Sequence, residues 1–223
     1  MTQHDDLTNG QAPTGLALLA ALETYWRELR GARRLPVRTE VDPGRIDAAL
    51  PHAMILERIA PGHARLRVAG AAISAHAGTE AHGLPLSMLF APASRDRLAD
   101  LLEPVFAEPA LIELPLALPR SLWRVRVSGR LLILPLLGRQ GMVDRALAVL
   151  ITDPTTPQPG RLFDIATDGA IRYEPLTLPE PVPEPVPEPV PAPLRLAAQA
   201  GGHALAAQDQ RPRTHLRLVV SNG

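Results

Sequence analysis

The chain contains no cysteine. Disulfides, thiolate metal ligands, thiol nucleophiles and cysteinyl cofactor adducts are therefore excluded. It contains no lysine either, so all 23 basic residues are arginine. Schiff-base chemistry and a phosphate loop built on lysine are excluded with it. Aromatic residues make up only 3 % of the chain, against 46 % apolar residues in all. Its core must be built from Leu, Val, Ile and Ala. Formal charge balances to zero, so the net field gives no reason to expect nucleic acid or an anionic membrane as partner. The longest apolar runs, residues 16–22 and 131–137, are far short of the roughly 20 residues that cross a bilayer. Asp5 and Asp6 stand where a secretory leader would be basic. The expectation is a cytoplasmic protein.

What is present has a clear order. Residues 1–13 are polar and expected to be disordered. Thr14 caps a predicted helix to about residue 30, stopped by Gly31. Leu18, Leu19, Leu22, Trp26 and Leu29 recur at helical spacing on it. This apolar stripe must cover something, either its own domain or a second copy across a dimer seam. Pro36 and Pro43 keep the next stretch extended, and a short helical piece runs to Leu50.

Met54, Ile55, Leu56 and Ile59 mark a buried strand, and Pro61-Gly62 turns the chain. Beyond the turn, Ala64, Leu66 and Val68 alternate against His63, Arg65 and Arg67. Residues 70–77 are helix-prone. Residues 78–90 are broken by Gly83 and Pro85. Ser94 is read as the cap of a helix to about Phe106.

Three further strands follow. The first alternates at Ile112, Leu114 and Leu116. The second pairs Trp123, Val125 and Val127 against Arg124 and Arg126, with a bulge expected at Gly129. After a hairpin loop at residues 138–141, Leu147, Val149 and Ile151 share one side of the third. Two strands, helical connections and three strands make an α+β antiparallel arrangement.

Residues 154–173 read as a loop-like extension, although Leu162, Phe163, Ile165, Ile171 and Tyr173 could pack back. Residues 174–193 end in LPEPVPEPVPEPVPAP. That register suits a stiff polyproline II spacer, or a ligand for an aromatic groove on a partner. Residues 194–223 form a modestly basic tail, expected to be disordered.

The wording of several segments resembles a bacterial family of short proteins with a single PAS domain. The matching stretches are YWRELRG (residues 25–31), LPVRTEVDP (35–43), LRVAG (66–70) and GTEAHGLPLSMLF (78–90). Their shared motifs are aromatic-Trp, Pro-x-Arg, Asp-Pro and Arg-x-x-Gly. The resemblance implies a five-stranded antiparallel sheet with helices on one face, preceded by the amphipathic helix, within domain bounds of residues 35–153. It implies a small pocket and signalling through flanking helices.

On facing alone, the expected pocket wall is Leu66, Val68, Ile73, Met88, Leu98, Leu102, Trp123, Val125 and Val149. Leu19, Leu22, Trp26 and Leu29 are the expected flanking or dimer contacts. Arg67, Arg124 and Arg126 are candidates for anion contacts or for a solvated sheet face.

Chemistry is sparse. His76, Glu80 and His82 cluster in sequence, but Gly78 interrupts any shared helical face, and no metal site is expected. The Ser94 helix lacks the histidine through which some PAS domains hold haem, and a thiol-linked flavin needs cysteine. No cofactor is expected. No nucleophile elbow or dinucleotide loop is present. The chain reads as a non-catalytic sensory or interaction protein that dimerises or docks a protein partner. A small-ligand receptor with an occupied pocket is the alternative, and a nucleic-acid regulator acting through the arginine-bearing tail is a third, weaker one.

Overall fold

The computed structural model describes residues 14–118, 127–153 and 159–176. They belong to one unit of the chain, Met1–Val182. The expected first part of the Trp123 strand, up to Arg126, the polyproline spacer beyond Leu176 and the basic tail lie outside them.

Helix α1 spans Gly15–Arg30. The Thr14 hydroxyl accepts from the Ala17 amide at 3.4 Å, and Gly31 closes the helix at φ 52°. A 3₁₀ segment, Pro43–His52, leads into β1 (Ala53–Ala60) and β2 (His63–Ala69). Helix α2 (Ala71–Ala77), a single turn at Leu86–Leu89 and helix α3 (Pro92–Ala107) make the connection to β3. Strands β3 (Ala110–Leu118), β4 (Val127–Leu137) and β5 (Val143–Asp153) follow. The order across the sheet is β2-β1-β5-β4-β3, with every neighbouring pair antiparallel.

The segment read as loop-like adds two short strands, β6 (Asp164–Ile165) and β7 (Arg172–Pro175), both paired with β3. Pro175 is tolerated there because β7 lies at the sheet edge, where a missing amide breaks no ladder.

Both faces of the sheet are buried, and this follows from the strand sequences. On β5, Ala146, Ala148 and Leu150 face one way, while Leu147, Val149 and Ile151 face the other, and all six are buried. An antiparallel sheet that is apolar on both sides needs two covers. The inner face is covered by α2, the Leu86–Leu89 turn and α3, through Ile73, Leu86, Leu98, Leu102 and Phe106. The outer face is covered by α1, through Leu18, Leu19, Leu22, Tyr25 and Trp26. Trp26 is fully buried, and its indole N–H donates to the Pro135 carbonyl at 3.0 Å. An isolated helix of this length is marginal in water, so burial of this stripe is what holds α1 in place.

Three local expectations change. Gly129 is not at a bulge: it sits in register between Leu116 and Thr152. A Cβ there would come within 2.9 Å of the Ile151 carbonyl, so close strand approach explains the glycine. Ser94 does not cap α3, which begins at Pro92, a residue preorganised for a first helical position. The Ser94 hydroxyl instead donates to Asp164 at 3.1 Å and accepts from the Ile165 amide at 3.3 Å, tying α3 to β6. The third change concerns facing on β2. Leu56 pairs with Leu66 but Ile55 pairs with Val68, so Arg67 is an extra residue in the ladder. This bulge reverses the alternation beyond it, and Val68 passes to the outer face.

Phe163 closes the inner core. It is fully buried, its amide donates to the Leu89 carbonyl at 2.8 Å, and the Ala91 amide donates back to its own carbonyl at 2.9 Å. Phe163→Ala is expected to lower the free energy of unfolding by about 3–5 kcal/mol. Exposed Tyr173→Ala should change it by less than about 0.5 kcal/mol. Urea denaturation of both variants is the check, and equal midpoints would show that the extension does not belong to the core.

Candidate functional site

The residues expected to line one pocket are not brought together. Leu66, Ile73, Leu98 and Leu102 meet in the inner core, where side chains pack against one another. Val149 is buried on the outer face, paired with Ala53. The alternation on β5 is as expected, but the side was misassigned, because an equally apolar set points inward. Val68 and Met88 are about half exposed, at 50 % and 48 %. The bulge displaces Val68, and Met88 sits on the outward side of a single turn whose Leu86 and Leu89 point in. Trp123, Val125, Arg124 and Arg126 lie outside the described residues. Leu19, Leu22 and Trp26 face the chain's own sheet, with Leu29 packed partly against the same cluster. They are not free to form a dimer seam.

A concave site of about 430 Å³ lies instead on the outer face. It is a groove between the Pro43–His52 segment and the ends of β1 and β2. Ile46 and Leu50 form one wall, Ile55, Leu147 and the displaced Val68 the sheet side, and Arg38 the only charged residue. Arg38 is partly buried, and among the described residues no carboxylate pairs with it. Sequence reasoning missed this site, because an apolar residue in a 3₁₀ turn carries no periodic signal.

A signal was nonetheless present. The four motifs behind the resemblance converge here. Arg38, Pro43 and Gly70 line the groove, and Tyr25 buttresses its wall. The Tyr25 hydroxyl accepts from the Asp42 amide at 2.7 Å, and the Arg45 guanidinium lies 5.2 Å over the Tyr25 ring. Gly70 marks the closest approach: a Cβ there would overlap the Leu50 and Pro51 carbonyl oxygens, and its amide donates to the Ala53 carbonyl at 2.8 Å.

Beside the groove runs a cross-strand charge ladder. Glu57 stands between Arg65 of β2 and Arg145 of β5, which approach it at 2.6 Å and 2.8 Å. Arg67 is 3.7 Å from the same carboxylate. Arg145 also pairs with Asp144 at 2.8 Å. Arg65, foremost, with Arg145 and Arg67 behind it, holds the Glu57 carboxyl below its ordinary range.

A family model described as a PAS domain matches residues 16–151. That is more than half of the chain, and the sheet order just described accompanies it. The chain belongs to the PAS-domain family. No curated protein matches it. The match begins inside α1 and ends on β5, so β6 and β7 lie beyond the matched PAS region. Among the described residues no helix is long and apolar enough to cross a membrane, and no three metal-ligating side chains are gathered. His76 is buried, whereas Glu80 and His82 are exposed.

The added strands latch onto the PAS domain's first helix. Arg172 of β7 donates from both terminal nitrogens to Glu23, at 2.7 Å each, and to Glu174 at 2.8 Å. Arg27 donates to both oxygens of Glu174 at 2.8 Å, and to Glu23 at 2.9 Å. The four residues form a closed ring between α1 and β7. The Arg172 hydrogen bonds pull the Glu23 carboxyl below its ordinary range, and those of Arg27 do the same to Glu174.

His76 on α2 stacks on Phe163, with ring centroids 4.3 Å apart and planes 15° from parallel. It is 5 % exposed and its Nε2 has no hydrogen-bond partner. Burial pushes its pKa below the ordinary 6.5, against a hydrogen bond to the Arg161 backbone that raises it. His52 is lowered by burial as well.

Two outcomes follow from this geometry. Gly70→Ala should cost about 1–3 kcal/mol through backbone overlap, so a thermal midpoint equal to that of the native chain would refute the close approach. The histidines set a pH dependence whose sign is fixed. Their folded pKa values are depressed, so the unfolded chain takes protons first. Stability is full above about pH 6.5 and falls as acid is added, until the folded state titrates too. Denaturation midpoints for the native chain, His52→Gln and His76→Leu between about pH 7 and pH 5 test this. Each substitution should flatten the slope, and a native profile already flat over that range would sink the account.

Proposed function

We propose that this PAS protein is a non-catalytic sensory module that passes its signal by docking a protein partner, another protein or a second copy of itself. The observation that carries the reading is the ring of Glu23, Arg27, Arg172 and Glu174. It ties the helix that enters the domain to the strand that leaves it. The ring is partly exposed, with side-chain exposures between 16 % and 40 %. Ion pairs in such settings contribute at most about 1 kcal/mol each. A latch of that strength holds in the resting protein and still yields to a binding partner.

The non-catalytic part rests on how polar groups are placed. A reaction centre needs two or more polar groups converging on one reacting atom. The groove has one charged residue, and Glu57, Glu113 and Glu23 are each engaged by arginines on the sheet or helix surface. The reading needs no cofactor. With the α1 stripe buried on its own sheet, self-association would use the outward surface of α1 and β7, where Leu16 is 63 % exposed and Tyr173 44 %.

Affinity capture from the native host with the full chain, native and Arg172→Ala, tests the reading. A partner whose recovery changes when the ring is broken is the expected result. A second copy as partner would show the same dependence in sedimentation. Recovery and self-association indifferent to Arg172 would overturn it.

A further inference from the structure

We infer that the outer-face groove is a binding site for an amphipathic monocarboxylate, with an alkyl chain along the apolar walls and its carboxylate on Arg38. The inference goes beyond partner docking and is read on the protein alone.

Three observations carry it. The first is the shape and lining of the site. At about 430 Å³ it falls within the range of small-molecule clefts. Thirteen of the fourteen residues around it are aliphatic, Met, Pro or Gly, and among them Ile46, Leu50, Ile55, Val68 and Leu147 come from four separate elements. A sugar, nucleotide or peptide backbone placed there would lose its hydrogen bonds to water and regain few. An alkyl chain loses none.

The second observation is the single charge. An arginine that lines an apolar groove loses part of its hydration, and a carboxylate normally compensates. Among the described residues Arg38 has none, although its neighbours do: Arg33 pairs with Glu40 at 2.7 Å and Arg45 with Glu28 at 2.9 Å. The planar guanidinium matches a carboxylate in a two-pronged hydrogen bond. The missing partner is thus an anion of that shape.

The third is the surrounding field. Ile55 is two residues from Glu57 on β1, and Leu147 is two residues from Arg145 on β5, so the groove and the charge ladder share a face. The ladder sets Arg65, Arg67 and Arg145 against Glu57 and Asp144. One positive charge is left over. A cationic amphiphile would meet like charge there, and an anionic one would be drawn in.

The experiment is titration calorimetry of the full chain with decanoate below its micelle concentration, with decan-1-ol and decyltrimethylammonium as equally long controls. Saturable one-to-one binding of decanoate is expected, with the alcohol and the cation weaker by about tenfold or more, as loss of one charge-assisted bond implies. Arg38→Gln should weaken decanoate to the level of the alcohol. Val68→Trp, at the half-exposed edge of the groove, should abolish binding of both, while thermal unfolding confirms that each variant folds. Equal binding of decanoate and decan-1-ol, unsaturable binding, or indifference to Arg38→Gln would overturn the proposal. So would a native dimer that Val68→Trp dissociates, since the groove would then belong to a second copy. None of these results depends on the latch or on a captured partner, so the two readings fail separately.

Discussion

The structure depends on a sheet that is apolar on both sides. Strands β4 and β5 carry buried aliphatic residues at nearly every position: Leu131 to Leu134 on one, Ala146 to Ile151 on the other. Neither face can be left to water. The connection between β2 and β3 folds over one face, and the other must be covered by the chain that precedes β1. Helix α1 has 16 residues, about 24 Å of helix. It covers β5 and β4. The Pro43–His52 segment covers the β1 end, and the two covers leave a gap over Ile55, Leu147 and Val68. The groove is therefore the remainder of a covering problem. The covering geometry accounts for where its apolar lining lies, but not for the charge of Arg38 within it.

Much of this could be read from the residues. A nearly continuous apolar run located β1, period-two alternation located β2, β3 and β5, and the Leu18 to Trp26 stripe located α1 and the need to bury it. Two kinds of information were absent from the pattern. One is side. Where Leu147, Val149 and Ile151 alternate with Ala146, Ala148 and Leu150, nothing in the period says which set meets the helical lid. The other is interruption. A single extra residue at Arg67 turns Val68 from the lid to the groove, and no local composition announces it, since arginine is ordinary on a strand. Strands β6 and β7, of two and four residues, are too short to show a period. The stronger hint was chemical: Phe163 is one of three phenylalanines in the chain, too large an apolar group to leave in a loop.

The motifs behind the family resemblance were legible as wording and not as a place. Tyr25, Arg38, Asp42-Pro43 and Gly70 are spread over some forty-five positions, from residue 25 to residue 70. Their common ground appears only when the tyrosine hydroxyl receives the Asp42 amide and Gly70 passes beneath the Leu50 and Pro51 carbonyls. These contacts shape one wall of the groove. The resemblance thus concerns a piece of architecture on the outer face, away from the packed interior where the pocket was expected.

The groove and the latch share α1. From the groove wall, Asp42 and Arg45 reach Tyr25 and Glu28 on the helix, and Glu23 and Arg27 on the same helix hold β7. The path is short and every step is a hydrogen bond, an ion pair or a ring contact. Continuity alone is not coupling. A ligand in the groove moves the latch only by binding one state of α1 better than the other. A tenfold preference supplies about 1.4 kcal/mol, which matches the value of about one partly exposed ion pair in the ring. A weakly held helix end can respond to so small a difference. The buried Trp26 anchor, whose loss would open the outer core, cannot. Any response to ligand should therefore be confined to the ends of α1 and to β7, with the helix staying on the sheet.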